Sequence, residues 1–335
     1  MIDLEKHWYK KHLTWLTILL LPLSWLYLMI SIFRRHLLQA KNNILFDVPV
    51  IIVGNINIGG VGKSPLVSAM VKRLRMEGYT PGVVSRGYGG ESKTYPLVVD
   101  KNTLVECSGD EPKMLFEQIT CPFVVDPNRT QAVAYLLQKF PQVNVLISDD
   151  GLQHYKLHRD LEIVVIDAKR QFGNKQIIPA GPLRESMSRL KTVDLLIANG
   201  EKIAGYHTMF LKPKRLVNVL DQHKFKDLSF LADKEIHAVT GIGNPQRFFD
   251  TLEKLGAQVI EHPFPDHHKF MASDLCFEVN APIIMTHKDA VKCNEFNHDN
   301  LYYLEIMADI DDKFFDILLN KLEITKGIDK CLHKK

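Results

Sequence analysis

The chain has 335 residues, with 42 basic and 39 acidic side chains and a formal net charge of +3 at pH 7. This length is sufficient for two domains, and the near balance of charge argues against nucleic-acid binding through a general basic field. The five cysteines show no C-x-x-C spacing, so they fit a reducing cytosol rather than a disulfide framework or a zinc site.

The N-terminal region contains a long apolar segment. Residues 13–33 carry no charged side chain, and a helix of this length is about 30 Å long, which is close to the thickness of a bilayer's hydrocarbon core. Trp15, Trp25 and Tyr27 are residue types that are common at membrane interfaces. Basic residues flank both sides equally and give no orientation. Pro22 allows a re-entrant or in-plane anchor as well as a membrane-spanning helix, and a buried core helix is the alternative. We expect membrane attachment.

Residues 48–65, VPVIIVGNINIGGVGKSP, predict a buried strand, a glycine-rich turn and the start of a helix over residues 66–76. The backbone N–H groups of such a loop, the helix dipole and the Lys63 ammonium attract phosphate, and the Ser64 hydroxyl is placed to bind Mg²⁺. Asn57 stands where the strict phosphate-loop pattern has glycine, and asparagine tolerates a positive φ. The segment therefore predicts a binding site for ATP or GTP.

Strand-like and helix-like segments alternate after this loop. Strands are predicted at 82–85, 97–100, 123–125, 143–148, 162–167 and 193–198, with helices at 111–118 and 130–140. This alternation predicts an α/β fold, a parallel sheet with helices on both faces.

The second part of the chain repeats this pattern after a break. Residues 201–232 lose the alternation, as expected of a linker or small hairpin. Strands at 236–240 and 283–286 and helices at 246–255 and 289–293 then form a further α/β unit. We predict an anchor helix (1–45), a phosphate-loop domain (46–200), a linker (201–232) and a smaller C-terminal α/β domain (233–335).

Acidic side chains follow two of the predicted strands, where α/β sheets bind their ligands. The segment VLISDD ends in Asp149 and Asp150, and either carboxylate is a candidate ligand of Mg²⁺, directly or through water. Asp167 ends IVVID and fits either a turn cap or a contact with nucleotide or metal.

Other polar loops contain candidate functional residues that also have simple structural interpretations. Arg86 in SRGYGG is a candidate phosphate contact or an ordinary surface residue. Asp110 in GDEP opens a predicted helix, so helix capping explains it simply. Arg184 and Glu185 in PAGPLRE suit either a polar substrate or a plain connector.

The segment HPFPDHHKF contains three histidines near the C-terminal strands. His262, His267 and His268 are candidate metal ligands, although no carboxylate-rich zinc motif surrounds them. Asp266 and His267 alternatively form a pair suited to proton transfer, and ordinary surface histidines are the remaining reading. GIGNP is an incomplete dinucleotide-binding fingerprint.

Taken together, GNINIGGVGKSP, SRGYGG, GDEP, DDGLQH, EIVVID, PAGPLRE, TGIGNP and FPDHH closely resemble the tetraacyldisaccharide 4'-kinase family of lipid A biosynthesis. The resemblance extends from about residue 20 to residue 292. It implies transfer of the ATP γ-phosphate to the 4'-hydroxyl of a tetraacylated glucosamine disaccharide 1-phosphate, giving lipid IVA. It also implies phosphate-loop NTPase-like architecture and attachment to the cytoplasmic face of the inner membrane. From the charge balance we expect no nucleic-acid partner, and we expect a monomer.

The resemblance further implies roles for individual residues. The residues expected to bind ATP are those of the glycine-rich loop: Asn57, Ile58, Gly59, Gly60, Val61, Gly62, Lys63 and Ser64. Mg²⁺ would lie on Ser64 and on Asp149 or Asp150, and Lys63 would also be catalytic. Asp110, helped by His267, would take or orient the proton of the attacking hydroxyl. The residues expected near the sugar or its phosphate are polar: Gln153, His154 and Arg184.

The chain departs from the family pattern at three positions. Ser64 stands where threonine is usual, Lys175 where glycine is frequent, and His287 where glutamate commonly precedes Lys288 and Asp289. Two other functions remain open on sequence grounds. A membrane-associated ATPase or GTPase switch is one, although THKD has the wrong spacing for the guanine-reading N-K-x-D motif. A nucleotide-binding module without catalysis is the other.

Overall fold

The computed structural model describes residues 4–10, 12–41, 44–296 and 298–332. The strands are β1 (Val50–Gly54), β2 (Pro81–Ser85), β3 (Leu97–Val98), β4 (Phe123–Val125), β5 (Val145–Asp149), β6 (Leu161–Asp167), β7 (Leu195–Asn199), β8 (His207–Asn218), β9 (Phe225–Lys226), β10 (Glu235–Thr240), β11 (Gln258–Pro263), β12 (Ile283–Thr286) and β13 (Leu301–Ile310). The α-helices are α1 (Leu4–Trp8), α2 (Trp15–Lys41), α3 (Lys63–Met76), α4 (Val105–Ser108), α5 (Asp110–Gln118), α6 (Arg129–Lys139), α7 (Pro245–Lys254), α8 (His287–Ala290) and α9 (Asp312–Leu332).

The first half of the sheet has the order β7-β6-β1-β5-β2-β4-β3. β1 lies between β5 and β6 and is parallel to both, with all five of its residues buried. Helix α3 packs on one face through Leu66, Met70 and Leu74, and α6 packs on the other through Val133 and Leu136. The predicted α/β fold is confirmed, and the carboxyl end of β1 delivers the chain into the glycine-rich loop.

The second half continues the same sheet in the order β11-β10-β12-β13. These four strands are parallel to one another, and β13 pairs antiparallel with β8, which is itself parallel to β7. The region predicted as a linker or small hairpin thus contains β8, which pairs with β9 and also joins the two halves. The division into domains at these boundaries remains a proposal.

Strand β8 was not predicted because its sequence, HTMFLKPKRLVN, looks like a basic loop. Its outward face carries exposed lysines, and the register against β13 shifts at the point where Arg215 and Pro213 pair with Glu305 and Ile306. A bulge of this kind accommodates a proline that cannot donate a ladder hydrogen bond. Helix α9 then returns to the first half, where Phe314 and Leu318 join the core beneath α3.

Helix α2 runs without interruption through Pro22 and is long and apolar enough to cross a membrane. One narrow stripe, including Thr17 and Ser24, is buried against the rest of the molecule. The opposite face is apolar yet open, with Leu19 67% and Met29 68% exposed. A core helix would bury such residues, so the alternative of a buried core helix does not hold.

Candidate active site

The glycine-rich loop begins where β1 ends and leads directly into α3. Gly59 and Gly62 have φ values of 105° and 96°, which a residue with a side chain rarely adopts. A Cβ atom on Gly62 would also lie 2.8 Å from Nδ2 of Asn199, whose side chain donates to the carbonyl of Val61. Asn199, at the end of β7, therefore fixes the loop from the neighbouring strand, a role that its sequence context did not indicate.

Asn57 does not replace a glycine in the way the sequence suggested. It is absent from the described residues with positive φ and instead forms an extended bridge to Leu183. Its side-chain amide donates to the carbonyl of Gln171. Asn57 therefore does not use the positive φ that asparagine tolerates; its contacts instead tie the loop to the segments beside it.

Lys63 lies at the first position of α3 and reaches back over the loop. Its Nζ atom is 3.2 Å from Oδ1 of Asp150, and Nη1 of Arg184 lies 3.8 Å from the other carboxylate oxygen. Burial alone would raise the pKa of Asp150, but these two cations outweigh it and hold the pKa below its ordinary value. The structure thus brings together the predicted Lys63, Asp150 and Arg184 at one point.

Asp149 differs from its neighbour. It is 5% exposed and, unlike Asp150, is not in the ion pairs with Lys63 and Arg184; its Oδ1 atom, like that of Asp150, has no hydrogen-bond partner among the described residues. Burial raises the pKa of Asp149 to about 7. A buried carboxylate oxygen without a donor, at the end of the strand beside the loop that carries Ser64, suits an oxygen-binding cation such as Mg²⁺.

Asp110 and His267 meet although 157 residues separate them. Oδ2 of Asp110 lies 2.9 Å from Nδ1 of His267. Asp110 begins α5 and is buried, with its other oxygen accepting the Glu111 N–H, whereas the His267 side chain is 39% exposed. His267 has a φ of 60°, in the left-handed region where non-glycine residues are strained. The half-exposed imidazole of His267 therefore covers the buried carboxylate of Asp110.

Lys288 lies close to three carboxylates, those of Asp110, Glu111 and Asp266. Its Nζ atom lies 3.8 Å from Asp110 Oδ2 and 3.2 Å from Asp266 Oδ1. Burial would lower the pKa of Lys288, but the carboxylates of Asp110, Glu111 and Asp266 outweigh it and raise the pKa. Lys288 therefore stays protonated at neutral pH and carries a positive charge beside the Asp110 carboxylate.

The histidines of HPFPDHHKF do not form a metal site. His262 hydrogen-bonds to His237 and stacks on Phe277, whereas His268 pairs with Asp274, 3.0 Å away. Only His267 turns towards Asp110, and no group of three potential metal ligands occurs within the described residues. The metal reading of this segment is therefore not supported.

The side chain of Asp289 connects the GIGNP and THKD segments by hydrogen bonds within the protein, so these segments need no bound nucleotide to account for their residues. Its buried Oδ2 atom accepts from the hydroxyls of Thr240 and Thr286 and from the N–H of Gly241. Lys292 pairs with its other oxygen at 2.8 Å. Asp289 thus holds together the loops that follow β10 and β12, which places it in a supporting role.

Gln153 and Glu185 connect the DDGLQH and PAGPLRE segments next to the glycine-rich loop. Nε2 of Gln153 donates to the carbonyl of Asn55 and to Oε1 of Glu185, and the Tyr155 hydroxyl donates to the second oxygen of Glu185. His154 lies beside them, and its Nε2 atom has no partner in the described part of the chain. Burial, with the nearby charges of Arg129 and Arg159, lowers the pKa of His154 to about 4.

The segment after β4 supplies polar groups that the sequence did not reveal as functional. Asp126 and Asn128 each have a buried side-chain oxygen that lacks a hydrogen-bond partner in the described structure. Arg129 is 4% exposed, and burial lowers its pKa to about 10, so it remains charged at neutral pH. Such unpaired buried groups suggest a polar ligand. The D-P-N-R string alone reads as a turn that opens α6.

Two other loops interlock at the same edge of the sheet. A Cβ atom on Gly109 would lie 2.2 Å from the Tyr88 carbonyl, and one on Gly90 would lie 2.5 Å from the Cys107 carbonyl. Glycine is therefore required by the close approach of SRGYGG and GDEP. This contact presents Arg86 and Tyr88 to the cleft. Asp167 caps the turn at Lys169 and Arg170 and also lines the cleft, so both predicted roles remain open for it.

One cleft of about 1470 Å³ lies between the two halves of the molecule, and several of these side chains line it: Lys63, Arg86, Arg129, Asp150, Gln153, His154, Arg184, His267 and Lys288. One wall carries the glycine-rich loop with Lys63, and the opposite wall carries His267 and Lys288. Tyr27 and Arg34 of α2 line its outer part. The cleft therefore joins a phosphate-binding loop, an acid–histidine pair and the apolar helix.

A model of the tetraacyldisaccharide-1-P 4'-kinase family matches residues 16–323. A tetraacyldisaccharide 4'-kinase of Legionella pneumophila (strain Lens) is 47% identical over 310 residues, covering 92% of this chain and 94% of that protein. One of Methylobacillus flagellatus is 46% identical over 322 residues, covering 95% of each. The crystal structure of the "apo" form of LpxK from Aquifex aeolicus in complex with ATP superimposes with a TM-score of 0.78 at 29% identity, covering 92% of this chain and 99% of that one.

Proposed function

The chain belongs to the tetraacyldisaccharide-1-P 4'-kinase family, and we propose how the side chains around its cleft carry out the reaction. The protein transfers the γ-phosphate of ATP to the 4'-hydroxyl of tetraacyldisaccharide 1-phosphate, giving lipid IVA. The observation that supports our assignment most directly is the 2.9 Å contact between Asp110 and His267 on the cleft that also contains Lys63.

ATP binds with its phosphates in the loop from Asn57 to Ser64. The backbone N–H groups at the start of α3 point towards the anion, and the helix dipole adds to their attraction. Lys63 contacts the β- and γ-phosphates. Its position beside Asp150 and Asn55 holds the ammonium over the loop before nucleotide arrives.

Ser64 and Asp149 are the residues that would hold Mg²⁺. Oδ1 of each carboxylate lacks a hydrogen-bond partner in the described structure, but Asp150 is in ion pairs with Lys63 and Arg184, so Asp149 fits this role better. When bound at this position, a cation would neutralise charge on the β- and γ-phosphates.

Asp110 and His267 handle the proton of the attacking hydroxyl. The Asp110 carboxylate accepts the Nδ1–H of His267, which leaves Nε2 of the more exposed imidazole to accept the hydroxyl proton. The 4'-oxygen then bonds to the γ-phosphorus, the bond to the β,γ-bridging oxygen breaks, and ADP leaves. The ammonium of Lys288 lies 3.8 Å from the same Asp110 oxygen that His267 contacts.

Gln153, His154 and Arg184 contact the sugar or its phosphate. His154 is uncharged at neutral pH because of its lowered pKa, so it offers hydrogen bonds rather than charge. Arg184 and the buried Arg129 supply positive charge to a phosphorylated headgroup.

Helix α2 lies in the plane of the membrane and does not cross it. Nε1 of Trp8, before the helix, donates to the Pro179 carbonyl, and Oγ of Ser24, in its middle, accepts from the N–H of Ala180. Arg35, near its end, lies 5.0 Å from the ring of Tyr155. A spanning helix would separate its ends by a bilayer, yet both ends contact one folded unit. Its apolar face enters the cytoplasmic surface of the inner membrane and delivers the lipid to the cleft.

The reaction and the pair can be tested together. Purified protein is incubated with ATP, Mg²⁺ and the lipid disaccharide 1-phosphate in mixed micelles, and the molecular mass of the lipid product is measured by mass spectrometry. We expect one added phosphoryl group, and we expect Asp110→Asn to lower kcat strongly with little change in KM for ATP. Unchanged kcat in Asp110→Asn would remove the proton role, since asparagine preserves the shape but not the charge.

A further inference from the structure

Helix α5 is held by the second half of the molecule at both of its ends. At its N-terminus, Asp110 contacts His267 and Lys288. At its C-terminus, Glu117 and Gln118 contact His287, the residue before Lys288. The short helix α8 therefore touches α5 at both ends, and the function described above uses only one of these contacts.

His287 is fixed by three neighbours. It is 7% exposed, and its ring lies flat on Tyr303 of β13, with centroids 4.0 Å apart and an interplanar angle of 10°. Its Nε2 atom lies 3.2 Å from Oε2 of Glu117, and its Nδ1 atom lies 3.0 Å from Nε2 of Gln118. The Gln118 amide donates to Nδ1, so the imidazole N–H is on Nε2 and donates to Glu117.

Glu117 collects donors from the second half. Besides His287, the Gln222 amide lies 3.0 Å from Oε2, and the Asn294 amide lies 3.5 Å from Oε1. The Glu117 side chain is 11% exposed, so these bonds replace water at a largely buried carboxylate.

Helix α5 itself belongs to the first half. Leu115 is buried in the core under α3, and Nζ of Lys113 donates to the carbonyls of Asp100 and Lys101. A helix of nine residues is a rigid rod about 13 Å long, so a displacement at Glu117 moves Asp110 as well.

We propose that His287 and Glu117 form a latch that aligns α5 with the second half and thereby positions Asp110 against His267. Both are positioning residues: His287 lines the cleft, but its ring nitrogens are engaged by Glu117 and Gln118, and Glu117 is not among the residues that line it. The proposal rests on the proton role proposed for the Asp110–His267 pair. Phosphoryl transfer is sensitive to small displacements of the groups that orient the nucleophile, so loss of the latch lowers kcat rather than nucleotide affinity.

The test combines His287→Phe with His267→Ala. Phenylalanine keeps the ring on Tyr303 but removes both hydrogen bonds. We expect His287→Phe to lower kcat about tenfold with KM for ATP within about twofold, and to lower it less than about twofold further in the His267→Ala background. His262→Phe is the matched control, because His262 also stacks and hydrogen-bonds in the second half but contacts other partners; its kcat stays near wild type.

Variants of Glu117 test the other side of the latch. Glu117→Leu removes the acceptor and repeats the loss of His287→Phe. Glu117→Gln keeps an acceptor oxygen and retains kcat within about threefold. Melting temperatures identify variants that have lost their fold, and the Glu117→Gln result supplies a folded comparison.

Three outcomes overturn the latch. The first is wild-type kcat in a folded His287→Phe protein. The second is the same tenfold loss in the His267→Ala background, which shows a general structural effect. The third is wild-type kcat in His267→Ala itself, which removes the pair and the latch together. A slow His267→Ala protein with an unaffected His287→Phe protein removes the latch alone.

Discussion

The nucleotide-binding loop and the Asp110–His267 pair face one cleft but are built differently. The phosphate-binding groups of the loop lie within residues 57–64, between a fully buried strand and a helix that packs on it. Asp110 and His267 lie 157 residues apart and meet because β8 and β13 join the halves of the sheet. The loop is therefore a local structure, whereas the pair depends on how the two halves are aligned.

The backbone shows the same contrast. Positive φ in the loop falls on glycines, where it is easily adopted. Outside the loop it falls on two non-glycine residues of the cleft, Asp150 beside Lys63 (φ 48°) and His267 on the opposite side (φ 60°), and costs of order 1 kcal/mol at each. The second half holds the strain at His267 while it presents the imidazole to Asp110.

The largest expected effect removes the charge of the loop. Lys63→Ala should lower kinase activity at least about 100-fold, because the ammonium contacts phosphate in both the bound and the transition state. Steady-state kinetics should show changes in both kcat and KM for ATP. Lys72→Ala, an exposed lysine on the same helix, should behave as wild type. Near-normal turnover in a folded Lys63→Ala protein would contradict the ATP site.

The next largest effect concerns membrane binding by the exposed face of α2, which should be independent of ATP binding in the cleft. Leu19→Glu with Met29→Glu places two carboxylates on the exposed apolar face of α2 and should weaken binding to anionic lipid vesicles at least about tenfold. KM for ATP should stay within about twofold. Deleting residues 1–35 should likewise release the protein from membranes. Undiminished vesicle binding by the double variant would show that another surface attaches the protein.

A smaller effect concerns pH. The folded-state pKa of His154 is lowered to about 4, below its ordinary value of 6.5, so the unfolded chain binds more protons as pH falls. This contribution to stability is complete above about pH 6.5 and is lost progressively towards pH 4. His154→Gln should therefore show a smaller fall in melting temperature over this range than wild type. Parallel curves for the two proteins would mean that folding does not lower the pKa of His154.

The smallest expected effect concerns the backbone strain at Lys175, which can be compared with the strain at His267. Lys175 has a φ of 61°, close to that of His267, but it is exposed and its backbone geometry is of the kind that glycine adopts freely. Lys175→Gly should raise the free energy of unfolding by up to about 1 kcal/mol and leave kcat unchanged. Denaturant titration measures the first quantity. A destabilised variant would show that the lysine side chain makes a stabilising contact.

Sequence reasoning succeeded where the determinants are local. The buried run before the glycines and the acids at strand ends predicted β1, the loop and the surroundings of Lys63. It failed where tertiary pairing decides the structure: β8 was hidden by its lysines and Pro213, and β11, β13 and α9 were not identified. Asn57 shows the same limit, since its bridge to Leu183 depends on a distant segment. His287, Glu117 and Asn199 carry no local motif, so their contacts emerge only from the assembled fold.

The most direct test of the central claim measures kcat for Asp110→Asn, His267→Ala and the double variant at saturating ATP and lipid. If the two residues act as one unit, each single variant loses about 100-fold in kcat and the double variant loses little more than the slower of the two. KM for ATP stays close to wild type in all three, because the loop is intact. An unaffected Asp110→Asn protein, or losses that multiply in the double variant, would contradict the account.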